Sequence, residues 1–264
     1  MSRPPLFHVS LLWLLLLGIV GGCSRSSVAP AGPIEAAERD SIVAFIGTVN
    51  QESMRTAFER LEQYEYARYL RTEQYDGDDF LIAYMEHDIE AQSGPDGRLM
   101  TVTQSDSAGA FDFGFFNQFV SENVDNPDPV DLVPWLLGED PVYLNPRNKD
   151  KYSFRMMGDT LLWDRSAMIV EVRAKPDVAD GLNVRKVRYY VDQSSRDLVA
   201  MYLERIDLGL LFREESTFYM HIQLVGGELV PRNTRFQTKI MTPFKGSYLI
   251  RTVSTYTDHR RILP

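Results

Sequence analysis

The sequence predicts a mainly β fold of the α+β class, in which a strongly curved antiparallel sheet of about ten or eleven strands forms an incomplete barrel. Three observations support this prediction. After residue 64, apolar residues recur at every second position over most of the chain, which is the period of strands. Short turn segments separate these stretches, so neighbouring strands are antiparallel. Leu211–Val225 would span about 50 Å at about 3.3 Å per residue, which favours strong curvature.

The N-terminal segment has the pattern of a secretion signal. Arg3 precedes the uncharged run Leu11–Cys23, which is shorter than the roughly 20 apolar residues that a spanning helix needs. Small residues end this run directly before Cys23, the only cysteine of the chain. These residues resemble the signal of bacterial lipoproteins with its lipobox. The resemblance implies cleavage between Gly22 and Cys23, a diacylglycerol thioether on the Cys23 sulfur, and acylation of the new amino group.

The alternative interpretation of this segment is an uncleaved signal anchor in which Cys23 plays no part. With cleavage, we expect a signal at residues 1–22, a flexible tether at 23–33 and one domain at 34–264. Ser24 stands where the resemblance to envelope lipoproteins would place an aspartate for retention in the inner membrane. The protein is therefore expected to be anchored by Cys23 in the bacterial cell envelope, in the outer membrane rather than the inner one, with its domain facing the periplasm.

The domain begins with a helical section, Ile34–Tyr64, after Pro33, which suits a helix start. Gly47-Thr48 divides this section into two expected helices. Helical spacing places nine apolar residues near one face, which most simply packs on the core of the domain. They are Ile34, Ala37, Ile42, Phe45, Ile46, Val49, Met54, Phe58 and Leu61.

The strands predicted from the period of two begin at Glu65 and resume at Lys151. Their predicted bounds include Glu65–Asp76, Asp79–Gln92, Arg98–Ser105, Arg185–Asp192, Asp197–Ile206, Leu211–Val225, Leu229–Ile240 and Lys245–Thr257. The continuous apolar run Phe80–Met85 predicts a strand that is covered on both faces. Asp76–Asp79 has the composition of an acidic hairpin turn, which explains it better than a calcium loop does.

A helical insertion, Ala108–Pro146, interrupts the strands. Asp128 can cap a helix, Pro129 fits its first position and Gly138 fits its end. The stretch is too apolar for a solvated loop, so we expect it to fill an apolar interior or to cover one. Its aromatic and aliphatic residues form either a permanent core or the lining for an acyl chain. The candidate lining residues are Phe111, Phe113, Phe116, Phe119, Trp135, Leu136 and Leu137.

The order of these elements resembles the LolA/LolB-like superfamily of bacterial lipoprotein-localisation factors. Two stretches carry the likeness locally: Val187–Asp192, a strand that leads into a turn, and Gly226–Pro231, a glycine turn before a strand with a proline. The resemblance covers most of the chain after the signal. It implies an incomplete antiparallel barrel around helices, with an apolar cavity that accepts acyl chains. It assigns no individual ligand-contacting residue to this chain.

From these patterns we hypothesise a binding protein that holds a lipid, or the acylated end of another lipoprotein, in an apolar cavity, with a role in lipoprotein sorting or outer-membrane maintenance. The alternative is a structural or sensing lipoprotein with a filled core that binds a protein partner. An enzyme is not expected, because the sequence contains no nucleophile motif and no phosphate loop.

Charge and composition exclude several other classes of protein. A net charge of −9 argues against nucleic-acid binding. His87, His221 and His259 are scattered without metal-ligand spacing, so neither a metal nor a cofactor is expected. Arg185, Lys186 and Arg188 form a small basic cluster, which solvated strand charges explain more simply than an anion site does.

Overall fold

A computed structural model describes residues 33–94, 97–112, 141–163, 165–209, 212–242 and 246–262. These residues form one antiparallel sheet of ten strands in the order β3-β2-β1-β10-β9-β8-β7-β6-β5-β4. β3 and β4 are its two edges, and they do not pair with each other. The prediction of an open, incomplete antiparallel barrel is therefore confirmed.

The strand bounds agree with the sequence pattern to within a few residues, although β3 and β10 are each longer than predicted. The strands are β1 Tyr64–Tyr75, β2 Leu81–Gly94, β3 Gly97–Gly109, β4 Tyr152–Leu162, β5 Arg165–Ala174, β6 Val184–Asp192, β7 Leu198–Leu208, β8 Arg213–Val225, β9 Glu228–Thr242 and β10 Gly246–Arg261.

From residue 33, where the described chain begins, two helices precede the sheet: α1, Pro33–Ile46, and α2, Glu52–Glu59. The predicted division at Gly47 is confirmed, since the Gly47 amide closes the last turn of α1 on the Val43 carbonyl. A short 3-10 turn, Arg60–Gln63, then leads into β1.

Most of the predicted apolar stripe of the helical section is buried. Its buried members are Ile42, Ile46, Val49, Met54, Phe58 and Leu61. Ala37 is exposed, however, whereas its neighbour Ala36 is half-buried. In the first turns of α1, the side of the helix that faces the core is therefore one residue away from the predicted one.

We call the sheet surface that packs against α1 and α2 the inner face, and the opposite surface the outer face. Directly paired residues of antiparallel strands share a face. On this basis Met220, Met201, Tyr189 and Val170 are inner-face neighbours from β8 to β5. All four are buried in the main core, together with Phe58 of α2.

Two predicted turns are confirmed in atomic detail. The Asp76 carboxylate accepts hydrogen bonds from the backbone amides of Asp78 and Phe80, each at 2.9 Å. Between β8 and β9, Gly226 and Gly227 both adopt positive φ angles of 57° and 89°. Such angles belong to tight two-residue hairpins, where glycine avoids steric strain.

The prediction for Phe80–Met85 was wrong. Phe80, Leu81 and Ile82 are exposed large apolar residues at the start of β2, Tyr84 and Met85 are half-buried, and only Ala83 of this run is buried. This end of β2 lies one strand from an edge of the sheet, and the helices contact β4, β7 and β9 instead. The predicted helix after Pro129 lies outside the described residues.

The outer face of β1 and β2 carries a network of ion pairs and tyrosines. Nε of Arg71 lies 2.7 Å from Oε1 of Glu73, and its Nη1 donates to Glu86. The Arg71 guanidinium also stacks over the ring of Tyr84, 4.7 Å from its centre. Tyr69 donates its hydroxyl to Glu86 at 2.9 Å. Polar contacts thus join β1 to β2 where the helices do not reach.

Candidate functional site

The inner face has an apolar zone under the helices and a polar zone beyond them. Under α2, Phe58 meets the ring of Tyr256 edge-on, with ring centres 6.2 Å apart. Farther along β1 and its neighbours, buried hydroxyl, amide and guanidinium groups replace the apolar side chains. They are Arg68, Thr72, Gln74, Ser216, Thr234, Thr238 and Ser254. Some of these groups are hydrogen-bonded to one another: Nη2 of Arg68 donates to the Ser254 hydroxyl at 3.1 Å, and the hydroxyls of Ser216 and Thr238 are 2.9 Å apart.

A cavity of about 370 Å³ opens between α1 and the edge strand β4. Small-molecule sites commonly measure about 300–1,000 Å³, so its size is sufficient for a ligand. Tyr152, Phe154 and Met156 of β4 contribute alternate, inner-facing side chains to its wall. The other lining residues are Glu35, Glu38, Arg39, Ser153, Arg155 and Lys175.

The apolar wall of the cavity is accessible mainly at Met156. Tyr152 and Phe154 are buried, whereas Met156 is 41% exposed. A register shift between Met156 and Gly158 makes Met157 an extra residue of β4, which does not line the cavity. Met157 is 49% exposed, so two adjacent methionines of similar exposure differ in whether they line the cavity.

Charged groups of both signs surround the cavity. Arg39 donates from Nε to Asp40 at 3.1 Å and from Nη1 to Asp150. The hydrogen bond from Arg39 lowers the pKa of Asp40 below its ordinary value, with Lys149 contributing in the same direction. Nζ of Lys175 lies 3.7 Å from Oε1 of Glu35. These contacts fix the first turns of α1 to the ends of β4 and β5.

Three tyrosines support the cavity from inside. The hydroxyls of Tyr143 and Tyr189 are hydrogen-bonded to each other, and the Tyr143 ring packs against Tyr152 with centres 5.9 Å apart. The Tyr152 hydroxyl donates to the Val184 carbonyl at 3.2 Å. Burial raises the pKa of Tyr152 and of Tyr189 to about 12. These hydroxyls remain protonated near neutral pH and act as fixed donors rather than as bases.

Of the predicted acyl-chain lining, the structure describes only Phe111. It is half-buried and packs in a small cluster with Met85, Tyr248 and Ile250. Phe113, Phe116, Phe119, Trp135, Leu136 and Leu137 lie outside the described residues, as do Gly22 and Cys23. Phe111 is not among the residues that line the α1–β4 cavity.

Gln74 fixes the chain next to Phe111. Its buried side-chain amide accepts from the Asp112 backbone nitrogen at 2.8 Å and donates to the Asp112 carbonyl. Gln74 is one of the polar inner-face residues named above, and it pairs with Ile250 of β10. The chain that follows β3 therefore passes along the inner face at Asp112.

The histidines that the structure describes, His87, His221 and His259, lie on three different strands. His221 is buried and stacks on Trp163 with ring centres 6.4 Å apart. Burial, and then the charge of Arg232, lower the pKa of His221 to about 4, so the ring is neutral near pH 7. Within the described part of the chain, no group of three or more histidine, cysteine or acidic residues is placed to hold a metal ion.

Each cation of the basic cluster predicted on β6 lies near a carboxylate. Arg188 lies 2.6 Å from Glu171 and Lys186 lies 3.3 Å from Glu204, both across neighbouring strands. Arg185 lies 3.5 Å from Asp180, in the 3-10 turn before β6. These ion pairs explain the cluster without an anion site.

No family model matches this sequence, and no curated protein matches it. Several solved structures resemble the chain, and three of them follow. A protein of the DUF1329 family from Desulfovibrio piger is 12% identical, with 87% of this chain and 93% of that chain covered and a TM-score of 0.25. An outer membrane lipoprotein-sorting protein domain from Vibrio parahaemolyticus is 9% identical, with 84% and 93% covered and a TM-score of 0.27. Lipoprotein LppX from Mycobacterium tuberculosis is 8% identical, with 85% and 98% covered and a TM-score of 0.25.

At these identities and TM-scores, the similarities assign no ligand, partner or site to this chain. Among the described residues, no helix has the combined length and apolarity that crossing a membrane requires.

Proposed function

We propose that this protein is a lipid-anchored protein of the bacterial envelope that binds an acyl chain on the inner face of its sheet. The observation that carries the proposal is the α1–β4 cavity, which opens beside the edge of the sheet and has Met156 on its accessible wall. The acyl chain would belong to a lipid or to another lipoprotein, in a role in lipoprotein sorting or outer-membrane maintenance.

The energetics of burial set the size of the ligand. Each buried methylene contributes about 0.8 kcal/mol, whereas association loses about 4–15 kcal/mol of translational and rotational freedom. Roughly ten buried methylenes are therefore needed before binding becomes favourable. A long acyl chain meets this requirement and a short one does not.

The lipid anchor on Cys23 is a second part of the proposal. Two or more acyl chains hold a protein firmly at a bilayer, whereas one chain holds it only reversibly. The lipobox pattern from Leu11 to Cys23 supports cleavage before Cys23 and placement in the outer membrane. The mass of the mature N-terminus checks this, and an unmodified Cys23 would contradict it.

Fatty-acid uptake by the mature chain, carrying Cys23→Ser so that it stays soluble, tests the proposed binding. We expect it to take up a fluorescent long-chain fatty acid. The substitution Met156→Glu places a charge on the apolar wall and should weaken uptake by about tenfold or more. The matched control, Met157→Glu, changes the neighbouring methionine outside the cavity and should leave uptake unchanged.

Two results would count against acyl binding in this cavity. One is a protein that takes up no fatty acid and releases no lipid when it is denatured and extracted. The other is an equal loss of uptake in both methionine variants with unchanged melting temperatures, which would place the ligand elsewhere.

The alternative function, a structural or sensing lipoprotein that binds a protein partner, is favoured by one observation. β3 is an edge strand, and its side chains are exposed from Arg98 to Gly109. Exposed edge strands can pair with a strand from another protein. A stable partner recovered together with lipid-free protein would support this alternative.

A further inference from the structure

We infer that one rim of the sheet rests on the bilayer that holds the lipid anchor, with apolar side chains of its turns in the bilayer surface. This rim contains the β1–β2 turn at Phe80 and the β7–β8 turn at Leu208, and we call it the anchor rim. The opposite rim, with the β4–β5 turn at Trp163 and the β8–β9 turn after Leu224, is the far rim. The inference rests on the proposed function, because it takes Cys23 as the anchored residue.

The strand register brings the turns of the anchor rim to one margin of the sheet. Tyr75, the last residue of β1, pairs with Leu249, near the start of β10. β10 begins where β9 ends, and Met241, near the end of β9, pairs with Arg213, the first residue of β8. Arg213 also pairs with Leu208, the last residue of β7. The β1–β2 and β7–β8 turns therefore lie on the same rim.

Large apolar side chains of the anchor rim are exposed. Phe80 is 67% exposed, Leu208 is 57% exposed and Leu81 is 45% exposed. Exposed apolar residues grouped in this way are typical of surfaces that contact a membrane or a partner. Asp78 and Asp79 are exposed beside Phe80. The contact with a bilayer is therefore apolar, and attraction to anionic lipids does not drive it.

The helix α1 begins at the anchor rim and ends towards the far rim. Alternate strands of an antiparallel sheet run in the same direction, so β5 ends at the anchor rim as β7 does. Lys175 follows the last residue of β5, and its Nζ lies 3.7 Å from Oε1 of Glu35 in the first turn of α1. Beyond the other end of α1, the side-chain amide of Asn50 donates to Asp197, directly before β7, at 2.8 Å.

The short tether decides which rim is close to the bilayer. Ten residues lead from Cys23 to Pro33, the first residue of α1. Fully extended, they span at most about 35 Å. The sixteen residues of β10 span about 50 Å between the two rims, at about 3.3 Å per residue. The tether is therefore shorter than the sheet, and it brings the anchor rim to the bilayer.

Exposure alone would not distinguish the two rims. At the far rim, Leu224 is 51% exposed and Trp163 is 61% exposed. The guanidinium of Arg232 covers one side of the Trp163 ring, 3.3 Å from its centre, and His221 stacks on the same ring. The far rim thus carries apolar side chains of its own, and it provides a matched control for the anchor rim.

Fluorescence quenching by brominated lipids tests the inference. The mature chain is coupled through the thiol of Cys23, its only cysteine, to a maleimide lipid in phosphatidylcholine vesicles with or without bromine on the acyl chains. Phe80→Trp and Leu224→Trp each place a reporter on one rim, and the signal of the parent protein is subtracted. We expect bromine to quench the Phe80→Trp reporter about twofold or more and the Leu224→Trp reporter by less than about a tenth.

A second reporter and a second lipid composition make the test stricter. Leu208→Trp also lies on the anchor rim and should be quenched like Phe80→Trp, which keeps the test valid if one variant fails to fold. Replacing part of the phosphatidylcholine with anionic phosphatidylglycerol should not increase the quenching, because Asp78 and Asp79 are exposed at this rim.

The outcomes separate the inference from the function on which it rests. Equal quenching at both rims, stronger quenching of Leu224→Trp, or none at the anchor rim would overturn the inference. The vesicle experiment uses a chemical link, so its result does not depend on lipidation in the cell. An unmodified Cys23 in the mature protein would instead remove the proposed anchor, and absent fatty-acid uptake would contradict the proposed binding, whatever the quenching shows.

Discussion

The two ends of the sheet differ in how far the helices cover their inner face. From β5 to β9 the inner face is buried under α1 and α2, with apolar residues such as Val170 and Tyr189 fully enclosed. At the other end, β2 and β3 form a wing, Leu81–Gly109, whose outer strand is exposed along its length. The Arg71 network on the outer face joins this wing to β1. Cross-strand ion pairs also occur at the covered end, for example between Arg188 and Glu171, so burial under the helices is what distinguishes that end from the wing.

Removal of a core side chain at the covered end should have the largest effect. Phe58 is buried in α2 against Tyr256, so we expect Phe58→Ala to lower the free energy of unfolding by about 3–5 kcal/mol. Phe80→Ala, which truncates an exposed phenylalanine beside the wing, should change it by less than about 0.5 kcal/mol. Chemical denaturation followed by circular dichroism measures both values. Comparable losses would contradict the contrast between the two ends.

A buried polar anchor at the covered end should have an intermediate effect. Burial raises the pKa of the Asp192 carboxyl, but hydrogen bonds from Ser194 and Ser195 and the charge of Arg165 outweigh it and lower the pKa to about 2. The carboxylate therefore stabilises the fold above its unfolded pKa of about 3.8, and this contribution is lost as the pH falls towards 2.

Asp192→Asn should lower the free energy of unfolding at pH 7 by about 1–3 kcal/mol, because it weakens several buried hydrogen bonds. Between pH 4 and pH 2, the free energy of unfolding of the variant should also fall less than that of the parent protein. Urea unfolding at a series of pH values measures this slope. An unchanged slope would show that Asp192 does not titrate as its contacts indicate.

Loss of the wing network should have the smallest effect and the strongest dependence on salt. Arg71→Met removes two ion pairs and a cation–π contact, and we expect a loss of about 1 kcal/mol at low ionic strength. Hydrogen exchange should become faster in β2 and β3 before it changes in β6. Arg213→Met, which breaks an exposed pair with Glu215, serves as the control and should have no measurable effect. Uniformly faster exchange over all ten strands would show that the two ends unfold as one unit.

The fold could be predicted from the sequence because one face of most strands is buried, which imposes a period of two. The same reasoning was wrong at Phe80–Met85, since an apolar run shows hydrophobicity but not which elements lie over it. Exposure there follows from the position of the run near the edge of the sheet. The division of the helices at Gly47 was predictable because it depends on local backbone preferences alone.

The α1–β4 cavity could not be predicted, because its lining comes from distant parts of the chain. Glu35 and Arg39 belong to α1, whereas Arg155 lies on β4 and Lys175 follows β5. Each is an ordinary surface residue in the sequence, and nothing in its spacing indicates proximity to the others. The predicted lining residues beyond Phe111 remain a prediction.

The position of β10 has a consequence for biosynthesis. Every other pairing in the described sheet joins strands that are neighbours in the sequence, but β10, the last strand, lies between β9 and β1. Until β10 has been synthesised, β1–β3 and β4–β9 have no strand between them, which leaves an open edge at β1 and another at β9. Long-range pairing of this kind is slow, and open edges invite aggregation in the meantime. Pairing of the sixteen-residue strand β10 with both β9 and β1 thus covers these two edges and joins the two partial sheets.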